Sequence, residues 1–89
     1  MNSIIFLEDA WKEYLYWQQN DKEKIERINE LLRDIARNKF KGIGKPEPLK
    51  HDKSGWWSRR IDDTNRLVYR LKGENDIEIA ECKSHYSKK

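Results

Sequence analysis

Ile25, Ile28, Leu31, Leu32 and Ile35 recur at three- and four-residue spacing in an otherwise charged stretch. That is the period of an α-helix with one apolar face. Asn20 and Glu23, three residues apart, read as the capping pair that starts it, and the pattern runs out near Asn38. Such a face has to be buried against something else in the chain, so it reads as core and not as a partner site. Nothing covalent substitutes for that packing: Cys82 is the lone cysteine, which excludes an intrachain disulfide, and no Cys/His cluster has metal-ligand spacing. With 89 residues, the expectation is one domain spanning 1–89, near the lower end of what buries a self-sufficient core.

The partner surface is legible in short segments. "SIIFL" is apolar and branched, and predicts a strand. "EDAWKEYLYWQQ" puts Trp11, Tyr14, Leu15 and Gln18 at helical spacing, with Glu8 and Asp9 in the first turn, where the helix dipole favours acids. After the second helix, "FKGIGKPEPL" holds both prolines and two of the four glycines, the composition of a loop or sheet-edge segment. "GWWSRRI", "RLVYRLK" and "DIEIAECK" then predict three antiparallel strands joined by the short polar turns "DDTN" and "GEN". The predicted fold is α+β: two N-terminal helices packed on one face of a small antiparallel β-sheet, with the other face free.

The longest apolar run is Ile4 to Leu7, far short of a membrane span, and nothing resembles a signal peptide. A soluble, cytoplasmic protein with no membrane partner is the expectation. The net charge of +3 lies wholly in the second half: residues 1–44 carry eight basic and eight acidic side chains, and residues 45–89 carry eleven and eight. Trp56, Trp57, Tyr69 and Tyr86 are interleaved with that basic half, as suits a polyanion with stackable bases, although +3 is also ordinary for a soluble domain.

Strand alternation sorts the second half into two faces. With Trp57, Ile61, Leu67, Tyr69 and Leu71 towards the helices, Trp56, Ser58, Arg60, Arg66, Val68 and Arg70 face away. Closing the last hairpin at "GEN" sets Lys72 opposite Ile77 and Lys83 opposite Arg66, which brings Arg60, Arg66 and His85 together unless a bulge reverses the register.

Against that face stands "GKPEPLKH". Each proline fixes its own φ and pushes the preceding residue towards extended geometry, so Pro46 and Pro48 restrict Lys45 and Glu47 and aim the Glu47 carboxylate. A lone loop glutamate is usually a solvated charge. An aimed carboxylate near arginines, lysines and a histidine fits RNA cleavage by its own 2′-hydroxyl, with no metal or other cofactor. Taken singly, Arg60 and Arg66 also read as surface partners of Asp62, Asp63 or Glu81, His85 as a surface histidine, and Tyr86 as a core cap.

"YLYWQ", "RINELL", "GKPEPLKH", "SGWWSRRI", "RLVY" and the near-terminal "HY" together resemble the YoeB family of bacterial toxins, within the RelE superfamily of mRNA interferases, from about Trp11 to Tyr86. The resemblance implies an endoribonuclease that cuts mRNA in the ribosomal A site and inhibits translation. It further implies a homodimer and a YefM-like antitoxin partner. Residue by residue, it implies Glu47 as general base, His85 as general acid and Arg66 as the phosphate-stabilising arginine. Lys50 and Arg60 follow as supporting cations and Tyr86 as an orienting or stacking aromatic; His51 is read separately, as a substrate contact or a structural residue. Family members commonly stop at the His-Tyr pair, whereas this chain continues with Ser87, Lys88 and Lys89. The same scaffold serves ParE toxins, which poison gyrase without cutting RNA, so a non-catalytic gyrase inhibitor or an RNA-binding module stands as the alternative.

Overall fold

The computed structural model describes residues 3–83. Strand β1 (Ile4–Phe6) leads into helices α1 (Glu8–Asn20) and α2 (Lys22–Arg37); β2 (Glu47–Pro48), a single 3₁₀ turn (His51–Lys53), β3 (Trp57–Arg60), β4 (Arg66–Lys72) and β5 (Asp76–Glu81) follow. The five strands form one sheet in the order β1-β5-β4-β3-β2. Both helices and all three hairpin strands lie where periodicity predicts them. The sheet is mixed and not purely antiparallel, because β1 runs parallel to β5, with Ile4 opposite Ile77 and Phe6 opposite Ile79.

The stripe on α2 behaves as a core face: Ile28, Leu31, Leu32 and Ile35 are buried, and Ile25 packs at their margin. They meet Leu67, Tyr69, Ile77 and Ile79 from the centre of the sheet. Its start differs by one residue from expectation. Asp21 caps α2 by accepting the Lys24 amide at 3.3 Å, while Asn20 closes α1 through its side chain to the Tyr16 carbonyl. On α1 the core side is Ala10 and Trp17 with Tyr14 beside them; Trp11 and Leu15 are exposed. The apolar spacing marks α1 as a helix without giving its rotation, because aromatic residues occur on both of its sides.

Two features of the second half depart from the simplest pairing. A bulge between Val68 and Tyr69 divides the β4–β5 ladder. Lys72 therefore pairs with Asp76 and Arg70 with Glu78, whereas beyond the bulge Val68 pairs with Glu81. Among the described residues the ladder stops there. Lys83 does not pair with Arg66; its ammonium lies 4.9 Å from the centre of the Tyr16 ring on α1. Just past β5, Cys82 is drawn onto α1, since the Trp17 indole donates to the Cys82 carbonyl at 2.9 Å and Glu13 accepts the Cys82 and Lys83 amides at 2.8 and 3.0 Å.

Candidate active site

Everything that could do chemistry on the free face is set by β3. Arg59 points inward from it and is fully buried. Its guanidinium donates to the Asp34 carboxylate at 2.5 Å and to the Tyr69 hydroxyl at 3.2 Å. It also donates to the main-chain carbonyls of Asn38, Lys41 and Ile43, at 2.7 to 3.1 Å. A buried cation is tolerated only with this degree of satisfaction. The consequence is mechanical: one side chain closes the loop between α2 and β2 by its own carbonyls. The Arg59 hydrogen bond holds the Asp34 carboxyl below the usual carboxylate range, against the opposing effect of burial.

The loop fits so closely that two positions need glycine. Gly42 has φ +124, and a Cβ there would collide with the Asp34 carboxylate. At Gly44, φ is +80, and a Cβ would stand 2.7 Å from Leu31 and 3.1 Å from the Arg59 side chain. The Gly44 carbonyl accepts the Arg60 amide at 2.6 Å, which delivers the chain onto the sheet edge just before the prolines.

Lys45 does not take the extended geometry expected before Pro46; its φ is +53. Proline closes the right-handed helical region to its predecessor, and here the chain turns out of the loop through the left-handed one. Glu47, before Pro48, is extended as expected and lies in β2. At the outer edge the missing proline N–H costs no ladder bond.

Glu47 pairs with Ser58, Ser58 with Val68, and Val68 with Glu81. Directly opposed residues in antiparallel strands present their side chains on the same face, so these four form a row across the surface that faces away from the helices. Arg60, two residues beyond Ser58, pairs with Arg66 on the next row of that face. From strand and residue spacings, the Glu47 Cα lies about 8 Å from that of Arg60 and about 12 Å from that of Arg66. Extended side chains from those positions can reach one phosphate between them.

Arg66 is held by the β3–β4 turn. Its guanidinium donates to the carbonyls of Asp62 and Asn65 at 3.0 and 3.2 Å, and more weakly to that of Asp63. The turn is shaped by Asp62, whose carboxylate accepts the Thr64 and Asn65 amides at 2.8 and 2.6 Å and an ion pair from Lys24 at 3.2 Å. Burial opposes its ionisation, but these donors prevail and bring its pKa down to about 2. The arginines are thus not surface partners of the Asp62, Asp63 or Glu81 carboxylates; Glu81 instead pairs with Lys53 at 3.1 Å.

The side chains of Glu47, Lys50, His51 and Arg60 are exposed and make no hydrogen bond or ion pair among the described residues. His51 opens the 3₁₀ turn with φ +62, a conformation that costs a branched or bulky residue energy and fixes where the following chain goes. His85 and Tyr86 lie outside the described residues. Sequence reasoning missed Arg59 and Asp34. The available signal was parity: Arg59 stands between inward-facing Trp57 and Ile61, and an inward charge demands a carboxylate from the opposing helix.

Comparison with known proteins identifies the family. Residues 6–86 match the sequence profile described as YoeB-like toxin of bacterial type II toxin-antitoxin system. Toxin YoeB of Synechocystis sp. is 52% identical over 85 residues, covering 96% of this chain and 98% of that protein. A solved YoeB dimer from Staphylococcus aureus superposes with a TM-score of 0.87 at 50% identity, over 94% of this chain and 97% of that one. A heterotetrameric YoeB-YefM toxin-antitoxin complex from Staphylococcus aureus gives 0.89 at 49% identity, over 97% and 99%. With a family match over residues 6–86, about half of all positions identical over nearly the whole chain and the fold in common, the chain belongs to the YoeB-like toxins of bacterial type II toxin-antitoxin systems.

Proposed function

We propose that this toxin is an endoribonuclease that cleaves mRNA in the ribosomal A site and so inhibits translation. The observation that carries the reading is the shared outward face of Glu47 and the Arg60–Arg66 pair on adjacent rows of the sheet. A carboxylate beside two guanidiniums on one face is the minimum for metal-independent transfer at a phosphodiester. Glu47 accepts the proton of the ribose 2′-hydroxyl, and that oxygen attacks the adjacent phosphorus in line. The P–O5′ bond breaks, His85 gives its proton to the departing 5′-oxygen, and a 2′,3′-cyclic phosphate remains. Arg66 stabilises the charge that builds on the phosphate oxygens, because its main-chain tethers hold the guanidinium before substrate arrives. Arg60 and Lys50 add positive potential, His51 contacts the message at the edge, and Tyr86 orients or stacks on the substrate.

The toxin works in the cytoplasm as a homodimer and is neutralised by a YefM-like antitoxin, a reading supported by the dimeric and antitoxin-bound states of its relatives. The deciding experiment adds the protein to ribosomes translating a defined message and maps the new RNA ends. Cleavage within the A-site codon is expected, lost in Glu47→Gln and in His85→Gln and reduced about 10²- to 10³-fold in Arg66→Ala. Arrested translation with intact RNA, or altered DNA supercoiling without new RNA ends, overturns the reading in favour of a non-catalytic toxin or a gyrase inhibitor.

A further inference from the structure

On the other side of the Glu47 row from the arginine pair, the free face carries a feature that the proposed chemistry does not use. The Arg70 guanidinium lies over the Trp56 indole, 4.3 Å from the ring centre. Its Nε donates to Glu78 at 2.8 Å, and Lys72 approaches the other oxygen of that carboxylate at 3.6 Å. The carboxylate is itself almost fully buried, whereas the Arg70 side chain remains 47% exposed. Arg70 is therefore a planar cation held flat on an aromatic surface, with its orientation already decided and half of it open to solvent.

Its position is as informative as its chemistry. Arg70 stands two residues beyond Val68 on β4, so it occupies the row next to that of Glu47, about 7 Å along the strand. Three successive rows of one face thus present a pair of arginines, a carboxylate, and an indole–guanidinium stack. A single strand whose phosphate sits between the first two rows carries its neighbouring nucleotide over the third. Planar cations and aromatic faces both stack on nucleobases, tolerate any base identity, and bind better when their rotamers are fixed beforehand.

We propose that Trp56 and Arg70 form a stacking subsite for the base of a nucleotide flanking the scissile phosphate of single-stranded RNA. The proposal rests on the ribonuclease reading for its register along the message, but base stacking itself is measurable without cleavage.

The test places an abasic nucleotide at each position flanking the cut in a ribosome-bound message. With the unmodified protein, one position slows cleavage about tenfold. In Arg70→Lys, which keeps the charge and the pairing with Glu78 but not the plane, and in Trp56→Leu, cleavage of the intact message falls by a similar factor and the abasic substitution has no further effect. An abasic penalty that persists undiminished in both variants overturns the subsite, as does the absence of any penalty with the unmodified protein. Full activity in Arg70→Lys assigns Arg70 to a phosphate and overturns it equally.

The same comparison by fluorescence anisotropy, with an uncleavable 2′-O-methyl strand and its abasic counterparts, separates the two readings. Coupled losses of binding in a protein that cuts nothing uphold the subsite and sink the ribonuclease. Cleavage with uncoupled losses does the reverse.

Discussion

Arg59 shows how much one buried charge can organise in a small domain. Removing it leaves Asp34 with only the Ile43 amide and the exposed Arg37 beside it, and takes the Arg59 donor from three loop carbonyls; removing Asp34 leaves a buried guanidinium without its counter-ion. Either single change should therefore lower the unfolding free energy by about 3–5 kcal/mol, the cost of orphaning one half of a buried pair. The pair itself is worth less than either loss, so the double variant Arg59→Met/Asp34→Asn should be clearly less destabilised than the two single effects combined. Urea denaturation of the four proteins checks this. Additive losses would mean that the ion pair is incidental and that the carbonyl contacts alone hold the loop. The Asp34 contribution has a pH sign as well: its folded pKa lies below the unfolded value, so it stabilises above the unfolded carboxylate range and the effect is lost as pH falls through the folded pKa.

At the scale of the element, the β3–β4 hairpin is the piece that brings Arg60 opposite Arg66, although like charges facing each other across strands disfavour pairing. Asp62 holds the turn against that repulsion. With its pKa brought from 3.8 to about 2, it adds on the order of 2 kcal/mol at neutral pH, fully present above pH 4 and lost on acidification towards pH 2. Asp62→Asn should thus lower Tm at pH 7 and converge with the parent near pH 2; parallel Tm curves across that range would remove Asp62 from the account. The hairpin, its polar turn and the outward parity of Arg60 and Arg66 were legible in "SRRIDDTNRLVY", because turn chemistry and alternation are local. So was the edge position of Glu47, from two prolines. The parallel pairing of β1 with β5 was not legible: strands far apart in sequence carry no mutual label, and three apolar residues fit either direction. Nor was the bulge at Val68, which depends on where the end of β5 is tied. Lys45 escaped because proline excludes one backbone region and leaves two.

Across the whole molecule, one side of the sheet packs on both helices and the other carries the candidate site, so the rigidity of the site's side depends on how well the packed side is closed. The closure just past β5 is made by α1, where Trp17 and Glu13 hold Cys82 and its thiol approaches the Ala10 carbonyl at 3.6 Å. Burial, reinforced by the charge of Glu13, pushes the Cys82 pKa up to about 12, and the side chain is fully inaccessible. Thiolate is the reactive species, so alkylation at pH 8 must wait for an opening that exposes the sulfur. If β5 separates from α1 only when the core comes apart, labelling with iodoacetamide should be slowed at least about 10³-fold relative to the unfolded chain, with a urea dependence matching the global m-value. Trp17→Phe keeps the ring but deletes the indole N–H donor, and should speed labelling about fivefold to tenfold through the loss of one buried hydrogen bond. Labelling that is fast, or nearly independent of urea, would show that the end of β5 opens on its own. The point from which the chain departs towards His85 would then be set by local fraying and not by the core.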